Sequence, residues 1–343
     1  MVYFSYNPTL SNKELKKGQK HDTKARSVLI LGGAGFLGAN LVRRCLKEPN
    51  TKVTVVDLLH PNFGSTQASL NAVAHKIEFI QGDIRDKALL KKVLPGKDII
   101  FNCAAQTSHP HSLHDPVFDA EINCIGNLVL LESIKEVNSK AVVVYTSSST
   151  VVGKAVGDVI DESHGERPLD IYSANKGVAE KYYRIFHRVY DIPTVVLRFA
   201  NLYGPLGKND PSFGFVNYFI HQAKTGKTIK IFGDGMQTRN LMFADDATEI
   251  MWLAAHEQKL AGETYFAAHQ DHHTVKEIAE TIVDIFGSGA MEYTPWPDVR
   301  KRIEIEHVII SSARLHYVTG WKPNFSLKEG LRLTKQRMES NDY

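Results

Sequence analysis

An apolar, β-type run over residues 27–31 leads into Gly32-Gly33-Ala34-Gly35-Phe36-Leu37-Gly38, and residues 39–46 continue with helical patterning. A strand that feeds a helix through three spaced glycines brings backbone N–H groups and a helix N-terminus against whatever fills the turn, which suits a diphosphate. Gly32, Gly35, Phe36, Leu37 and Gly38 are therefore expected at a bound cofactor. The next apolar run, 53–56, ends in Asp57. That carboxylate falls about 20 residues beyond the glycines, where it can accept both hydroxyls of an adenosine ribose. No arginine directly follows Asp57, and a 2′-phosphate would face its negative charge, so NAD is expected rather than NADP.

Further apolar runs at 76–81, 98–103, 141–145 and 194–199 alternate with helical segments. This pattern requires an α/β fold, a Rossmann-type doubly wound parallel sheet, with its ligand crevice beyond the strand C-termini. Gly82-Asp83-Ile84 follows the third run, placing Asp83 to read an adenine edge and Ile84 to pack on it, with a plain solvated turn as the alternative. Ala104-Ala105-Gln106 follows the fourth, and its small residues let backbone approach a cofactor. An irregular stretch then carries His109, His111 and His114 in no metal-binding spacing, so no metal is expected. His109, next to the strand end, is the best placed of the three to face a substrate. Residues 118–137 are apolar at helical spacing and contain Asn123, which by itself reads as a hydrogen-bonded core amide.

The fifth run ends in five hydroxyl residues, Thr146 to Thr150, and Tyr172-Ser173-Ala174-Asn175-Lys176 opens a helix running to about residue 190. Tyr172 and Lys176 lie four apart, on one helix face. An ammonium beside a phenol favours the phenolate, which would bring Tyr172 into acid–base use near neutrality, below its usual pKa of about 10. An isolated pair of this kind can equally be an exposed surface pair. Beyond residue 200 the composition changes, with a strand-like 228–232, then Arg239, then Asp298-Val299-Arg300-Lys301-Arg302. Arg239 with Arg300 or Arg302 could clamp a second diphosphate through bidentate hydrogen bonds, solvated surface arginines being the plainer alternative. The expected organisation is a flexible extension over 1–26, a NAD-binding domain over 27–200, and a smaller C-terminal α/β region over 201–343. That last region would bind substrate and return some segments to the first domain; no long linker intervenes, so the two parts should share one cleft.

Bulk properties exclude some partners. Lys and Arg number 41 against 38 Asp and Glu, with no dense basic block interleaved with aromatics, so no nucleic-acid partner is expected. No apolar run approaches the ~18 residues of a membrane span, and no membrane association is expected. Cys45, Cys103 and Cys124, odd in number and set in apolar segments, read as reduced thiols of a cytoplasmic protein.

Taken in order, Gly32-x-x-Gly35-x-x-Gly38, Asp57, Gly82-Asp83-Ile84-Arg85-Asp86, the serine run before Val151-Val152-Gly153, Tyr172-x-x-x-Lys176, Arg198 to Pro205, Phe232-Gly233-Asp234-Gly235 and Gly320-Trp321-Lys322-Pro323 form a pattern. It resembles the extended short-chain dehydrogenase/reductases of the NAD-dependent nucleotide-sugar epimerase/dehydratase family. The resemblance implies Ser148, Tyr172 and Lys176 as catalytic residues, with Asn123 supporting the lysine's network and counted, with Tyr172 and Lys176, among the residues at the cofactor. It further implies NAD on the sheet and a nucleotide-diphosphate sugar under the C-terminal part, met by Ser148, Asn201 and Arg239. Relatives of this kind pair through two helices per subunit, here 118–137 and 177–190, so a homodimer is expected, although the same apolar faces could pack internally.

Departures from the pattern narrow the reaction. Sugar-nucleotide 4,6-dehydratases carry an Asp-Glu pair directly after the catalytic Thr, and the decarboxylases a Glu at the second of those positions; here Ser149 and Thr150 stand there. Epimerisation at C4 through a transient ketone, with hydride returned to the opposite face, is the expected activity. A dehydrogenase or reductase with net redox change is the alternative. A cofactor-sensing or scaffold protein is the reading from a different class, and the intact Ser148, Tyr172 and Lys176 count against it.

Overall fold

The computed structural model describes residues 26–60, 62–154, 159–305, 307–340 and 343. The expected N-terminal extension lies outside the described residues except for Arg26, which opens the first strand.

Seven parallel strands form the main sheet: β1 Arg26–Leu31, β2 Thr51–Asp57, β3 Ile77–Gln81, β4 Ile99–Asn102, β5 Val142–Ser148, β6 Thr194–Phe199 and β10 Thr264–Ala267. Their order is β10-β6-β5-β4-β1-β2-β3. β1 is the hinge of the winding, pairing with β2 on one side and with β4 on the other, and a crevice opens beyond its end at that reversal. Along β1, Val28 and Ile30 enter one apolar layer with Leu41, Val42, Val53 and Val55. Leu29 and Leu31 enter the other with Leu130, Leu131 and Ile134. Burial on both faces explains why these strands read as unbroken apolar runs rather than alternating ones.

Six of the seven strands answer to the apolar runs in the sequence. The seventh, β10, is a four-residue strand that joins the edge beside β6, and it is too short to signal itself. Helix Ala244–Ala254 also lies against this part of the molecule: Ala247, Ile250 and Met251 share the layer of Ala39 and Leu41 on helix Phe36–Cys45. The expected helix over 118–137 is three pieces in line: Pro116–Ala120, a π-helical turn Glu121–Ile125, and Gly126–Val137.

The C-terminal region holds two small sheets. One is β11-β9-β7, formed by His272–Thr274, Thr238–Phe243 and Asn201–Tyr203, and the other is β12-β8, formed by Ala290–Thr294 and Thr228–Phe232. Helices Phe215–Lys224 and Val275–Phe286 pack with them through Phe219, Ile220, Ile278 and Ile282. Among the described residues no helix is long and apolar enough to cross a membrane.

Candidate active site

A cleft of about 850 Å³ runs from the C-terminal edge of the main sheet to the small sheets. Its floor is the glycine turn. Gly32 has φ of +73°, and a Cβ there would sit 2.6 Å from the Ala104 nitrogen; one on Gly38 would sit 2.2 Å from the Gly32 carbonyl oxygen. Helix Phe36–Cys45 starts at Gly35 with no side-chain cap and no acidic residue in its first turn, so its leading N–H groups carry positive dipole toward the cleft. Asp57, 5% exposed, accepts from the N–H of Ala34 at 2.9 Å and of Leu59 at 2.8 Å, fixing its carboxylate at the end of β2. An uncapped helix end, a turn that excludes Cβ atoms and a carboxylate held at the neighbouring strand end fit a dinucleotide.

Gly32, Gly35, Phe36, Leu37, Gly38, Asp57, Asp83, Ile84, Ala104, Ala105 and Gln106 all line this cleft. Asp83 is already engaged by Arg85, with contacts of 2.7 to 3.1 Å. Burial pushes its carboxyl up, but Arg85 more than offsets this and holds it below the usual range. The Gln106 side chain is pinned between Ser108 and Asp119, donating to Asp119 at 2.6 Å. Asn123 does not reach the cleft surface. It sits in the π-helical turn and donates to the Gln106 carbonyl at 2.9 Å, while its own buried Oδ1 has no partner among the described residues. A π turn widens the helix by one residue, and here it turns this amide toward the loop after β4.

The reactive groups gather where β5 ends. Ser148 is the last residue of that strand, and Tyr172 and Lys176 come from the first turns of helix Ile171–Tyr190. All three line the cleft. The Ser148 hydroxyl lies 2.8 Å from that of Thr150, which accepts from the Ser173 hydroxyl at 2.8 Å. Lys176, 2% exposed, donates to the Thr146 carbonyl at 2.8 Å, and its Nζ lies 4.6 Å from the Tyr145 ring centroid and 6.0 Å from that of Tyr172. Burial pushes this ammonium down to about 8.

The expected phenolate is not the state this geometry favours. Burial pushes the Tyr172 phenol above its ordinary value, the Ser148 hydroxyl opposes that, and the carboxylates of Asp170 and Asp119 raise it further. One Lys176 N–H goes to the Thr146 carbonyl, and its Nζ lies 6.0 Å from the Tyr172 ring centroid. Helical spacing fixed the shared face, but burial dominates the proton's affinity, with only the Ser148 hydroxyl lowering it.

One of the three histidines lines the cleft. His109 Nδ1 lies 2.5 Å from Asp170 Oδ2, and its ring meets that of Tyr172 edge-on with centroids 4.7 Å apart. Asp170 caps the same helix, accepting from the Ser173 N–H at 2.8 Å. Burial raises the Asp170 carboxyl, while His109 and Ser173 outweigh it and hold the group below the usual carboxylate range. His111 instead packs on Phe63 and Phe118. Among the described residues no three His, Cys, Asp or Glu side chains cluster as a metal site would need.

The opposite wall belongs to the C-terminal region. Asn201, Arg239 and Arg300 line it, whereas Arg302 is exposed outside it. Arg239 is ion-paired with Glu304 and donates to the Thr238 carbonyl at 2.7 Å; burial pushes its guanidinium down to about 10. Arg300 lies over the Phe232 ring at 5.6 Å. Sequence reasoning missed four residues here. Asp170 could have been found as a helix N-cap two residues before the tyrosine. Asn175 donates to Asp119 at 2.8 Å and so ties the motif helix to Gln106. Glu304 and Lys208 gave no signal. Lys208 lies along Gly64, its Cε 3.2 Å from where a Cβ would stand there, and faces the cofactor side of the cleft.

Comparison with known proteins adds four findings. The model of the NAD dependent epimerase/dehydratase family matches residues 28–268. A putative UDP-glucose 4-epimerase of Methanocaldococcus jannaschii is 29% identical over 317 residues, covering 92% of this chain and 99% of that protein. Among solved structures, the UDP-glucose 4-epimerase of Thermotoga maritima with UDP-glucose is similar at TM-score 0.83 and 28% identity, covering 92% of this chain and 99% of that one. The dTDP-glucose 4,6-dehydratase of Streptomyces venezuelae, solved with NAD bound, is similar at TM-score 0.82 and 26% identity, over 92% and 97%.

Proposed function

The chain belongs to the NAD dependent epimerase/dehydratase family, and from that premise we propose that it is a nucleotide-sugar epimerase acting at C4. Its relatives divide between 4-epimerases and 4,6-dehydratases. The observation that carries the choice is the end of β5, where Ser149 and Thr150 face the cleft. Thr150 is committed to Ser148 and Ser173 by hydrogen bonds of 2.8 Å, so hydroxyls stand where water loss would need a carboxylic acid and a carboxylate.

In this reading the N-terminal end of helix Phe36–Cys45 and Asp57 hold the cofactor, and Arg239, Arg300 and Asn201 hold the sugar nucleotide's diphosphate. Bound NAD supplies a hydride acceptor that can give the hydride back. Tyr172 exchanges a proton with the sugar O4, and Ser148 hydrogen-bonds the same oxygen. Lys176, a buried ammonium on the tyrosine's helix face, supplies the positive charge that favours the phenol losing its proton once the cleft is filled. Arg239 is already paired with Glu304, so a diphosphate competes with that carboxylate for the guanidinium.

Ile125, Ile185 and Val189 are half-exposed or more on the helical segments that include Gly126–Val137 and Ile171–Tyr190. We read that face as the contact with a second copy of the chain, which light scattering of the purified protein would measure.

UDP-, dTDP-, GDP- and CDP-hexoses supplied with NAD, followed by NADH absorbance and by NMR of the sugars, test the function. Formation of a C4 epimer without net NADH supports it. Sustained NADH accumulation would replace it with the dehydrogenase reading, and absence of any turnover would favour a sensing or scaffold role.

A further inference from the structure

The Asp170–His109 pair is not needed to move a hydride at C4, yet it is built into the same wall. A carboxylate can only accept, so its 2.5 Å contact places the proton of the neutral ring on Nδ1 and leaves the lone pair on Nε2. Nε2 has no hydrogen-bond partner among the described residues, and the His109 side chain, 34% exposed, lines the cleft beside Tyr172. Asp170 itself is fixed by its second oxygen, which caps helix Ile171–Tyr190. An oriented base with a free lone pair, one ring away from the groups assigned to O4, is the arrangement required to remove a proton next to a carbonyl.

Resting on the C4 reading above, we propose that Asp170–His109 is a second proton-transfer station, which removes and returns the hydrogen on the ring carbon beside the C4 ketone. Bound NAD would supply the oxidant that makes C4 a ketone. The neighbouring C–H bond then breaks, its proton passes to His109 Nε2, and its electron pair forms a C–C double bond as O4 takes the negative charge. The hydroxyls of Tyr172 and Ser148 can hydrogen-bond that oxyanion, and the imidazolium is paired by Asp170. The return runs the same bonds backward. Because His109 is partly exposed, its Nε2 proton exchanges with water, and the returning hydrogen is solvent-derived.

The test is full-length protein with NAD and UDP-glucose in D₂O, with the recovered nucleotide sugars read by mass spectrometry and NMR. Non-exchangeable deuterium at C3 or C5 is expected. In His109→Gln, deuterium gained per C4 turnover should fall at least about tenfold. Asp170→Asn keeps a good helix cap but offers an amide N–H to Nδ1, which moves the ring proton to Nε2; it should lose deuterium gain as well. Matching melting temperatures show that both variants fold.

Conversion at C4 with no carbon-bound deuterium would overturn this inference and leave the epimerase reading standing, as would deuterium gain unchanged in His109→Gln. Deuterium gain without a C4 epimer would support the station and overturn the epimerase reading. Neither deuterium nor conversion with UDP-glucose or with the dTDP-, GDP- and CDP-hexoses treated in the same way would overturn both.

Discussion

On the sheet side of the cleft, ligand-facing groups are set by backbone: Asp57 is gripped by two N–H groups, the glycine turn leaves no room for a Cβ, and Tyr172 and Lys176 ride one helix. On the C-terminal side they are the ends of long side chains, with Arg239 tied to Glu304, Arg300 lying on Phe232, and Lys208 laid along Gly64. One wall is thus set by backbone, while the side chains of the other hold internal contacts with which a ligand competes. Changes to the first wall should therefore abolish binding or chemistry, and changes to the second should tune affinity.

The largest effect should come from Tyr172→Phe. Turnover is expected to fall by about 10²–10⁴, as for loss of a general acid–base, with NAD content of the purified protein unchanged. A parallel loss of NAD would mean that the phenol acts in binding instead.

Gly38→Ala should come next, because its Cβ would collide with backbone at 2.2 and 2.7 Å rather than with a movable side chain. Titration with NAD should show an affinity loss of roughly 100-fold, with about 1–3 kcal/mol of stability lost in denaturant melts. NAD binding within a few-fold of wild type would break the claim that this wall is rigid.

The buried ammonium of Lys176 is pushed down to about 8, so its charge is present below that pH and lost above it. If that charge is what ionises Tyr172, kcat/KM should fall about tenfold per pH unit above 8. A profile flat to pH 9.5 would remove Lys176 from that role.

On the second wall, Lys208→Met should weaken NAD by roughly tenfold in direct titration, the scale of one charge-assisted hydrogen bond. Lys208 has no ion-pair partner among the described residues; burial lowers its affinity for a proton, which the Asp57 carboxylate opposes, so an anionic ligand is its natural complement. Smallest of all, Glu304→Gln should tighten UDP by about three-fold, since it removes the carboxylate that competes for Arg239. Weaker UDP binding in that variant would show Glu304 holding the arginine in place rather than holding it back.

What the sequence disclosed follows the same division. Glycines, a carboxylate at a fixed offset and a tyrosine–lysine pair on one helix turn are local in the chain, so their spacing alone placed them on the sheet wall. Even there, spacing gave the shared face of Tyr172 and Lys176 but not the proton's position, because burial is a property of the assembled fold. His109 was visible as a histidine beyond a strand end, but the stretch expected to be irregular is a short helix, His109–His114, capped by Ser108, and the histidine's partner lies 61 residues away and was not visible. Glu304 reaches Arg239 across 65 residues, and β10 is four residues long; neither leaves a periodic trace.

Hydride taken from C4 and returned within one bound cofactor must leave the original hydrogen on C4. UDP-glucose carrying deuterium at C4 is incubated with the protein and NAD, and the products are followed by NMR and mass spectrometry. A C4 epimer that keeps its deuterium on C4 is the expected product. Deuterium found in free NADH, or an epimer formed with hydrogen at C4, would contradict it.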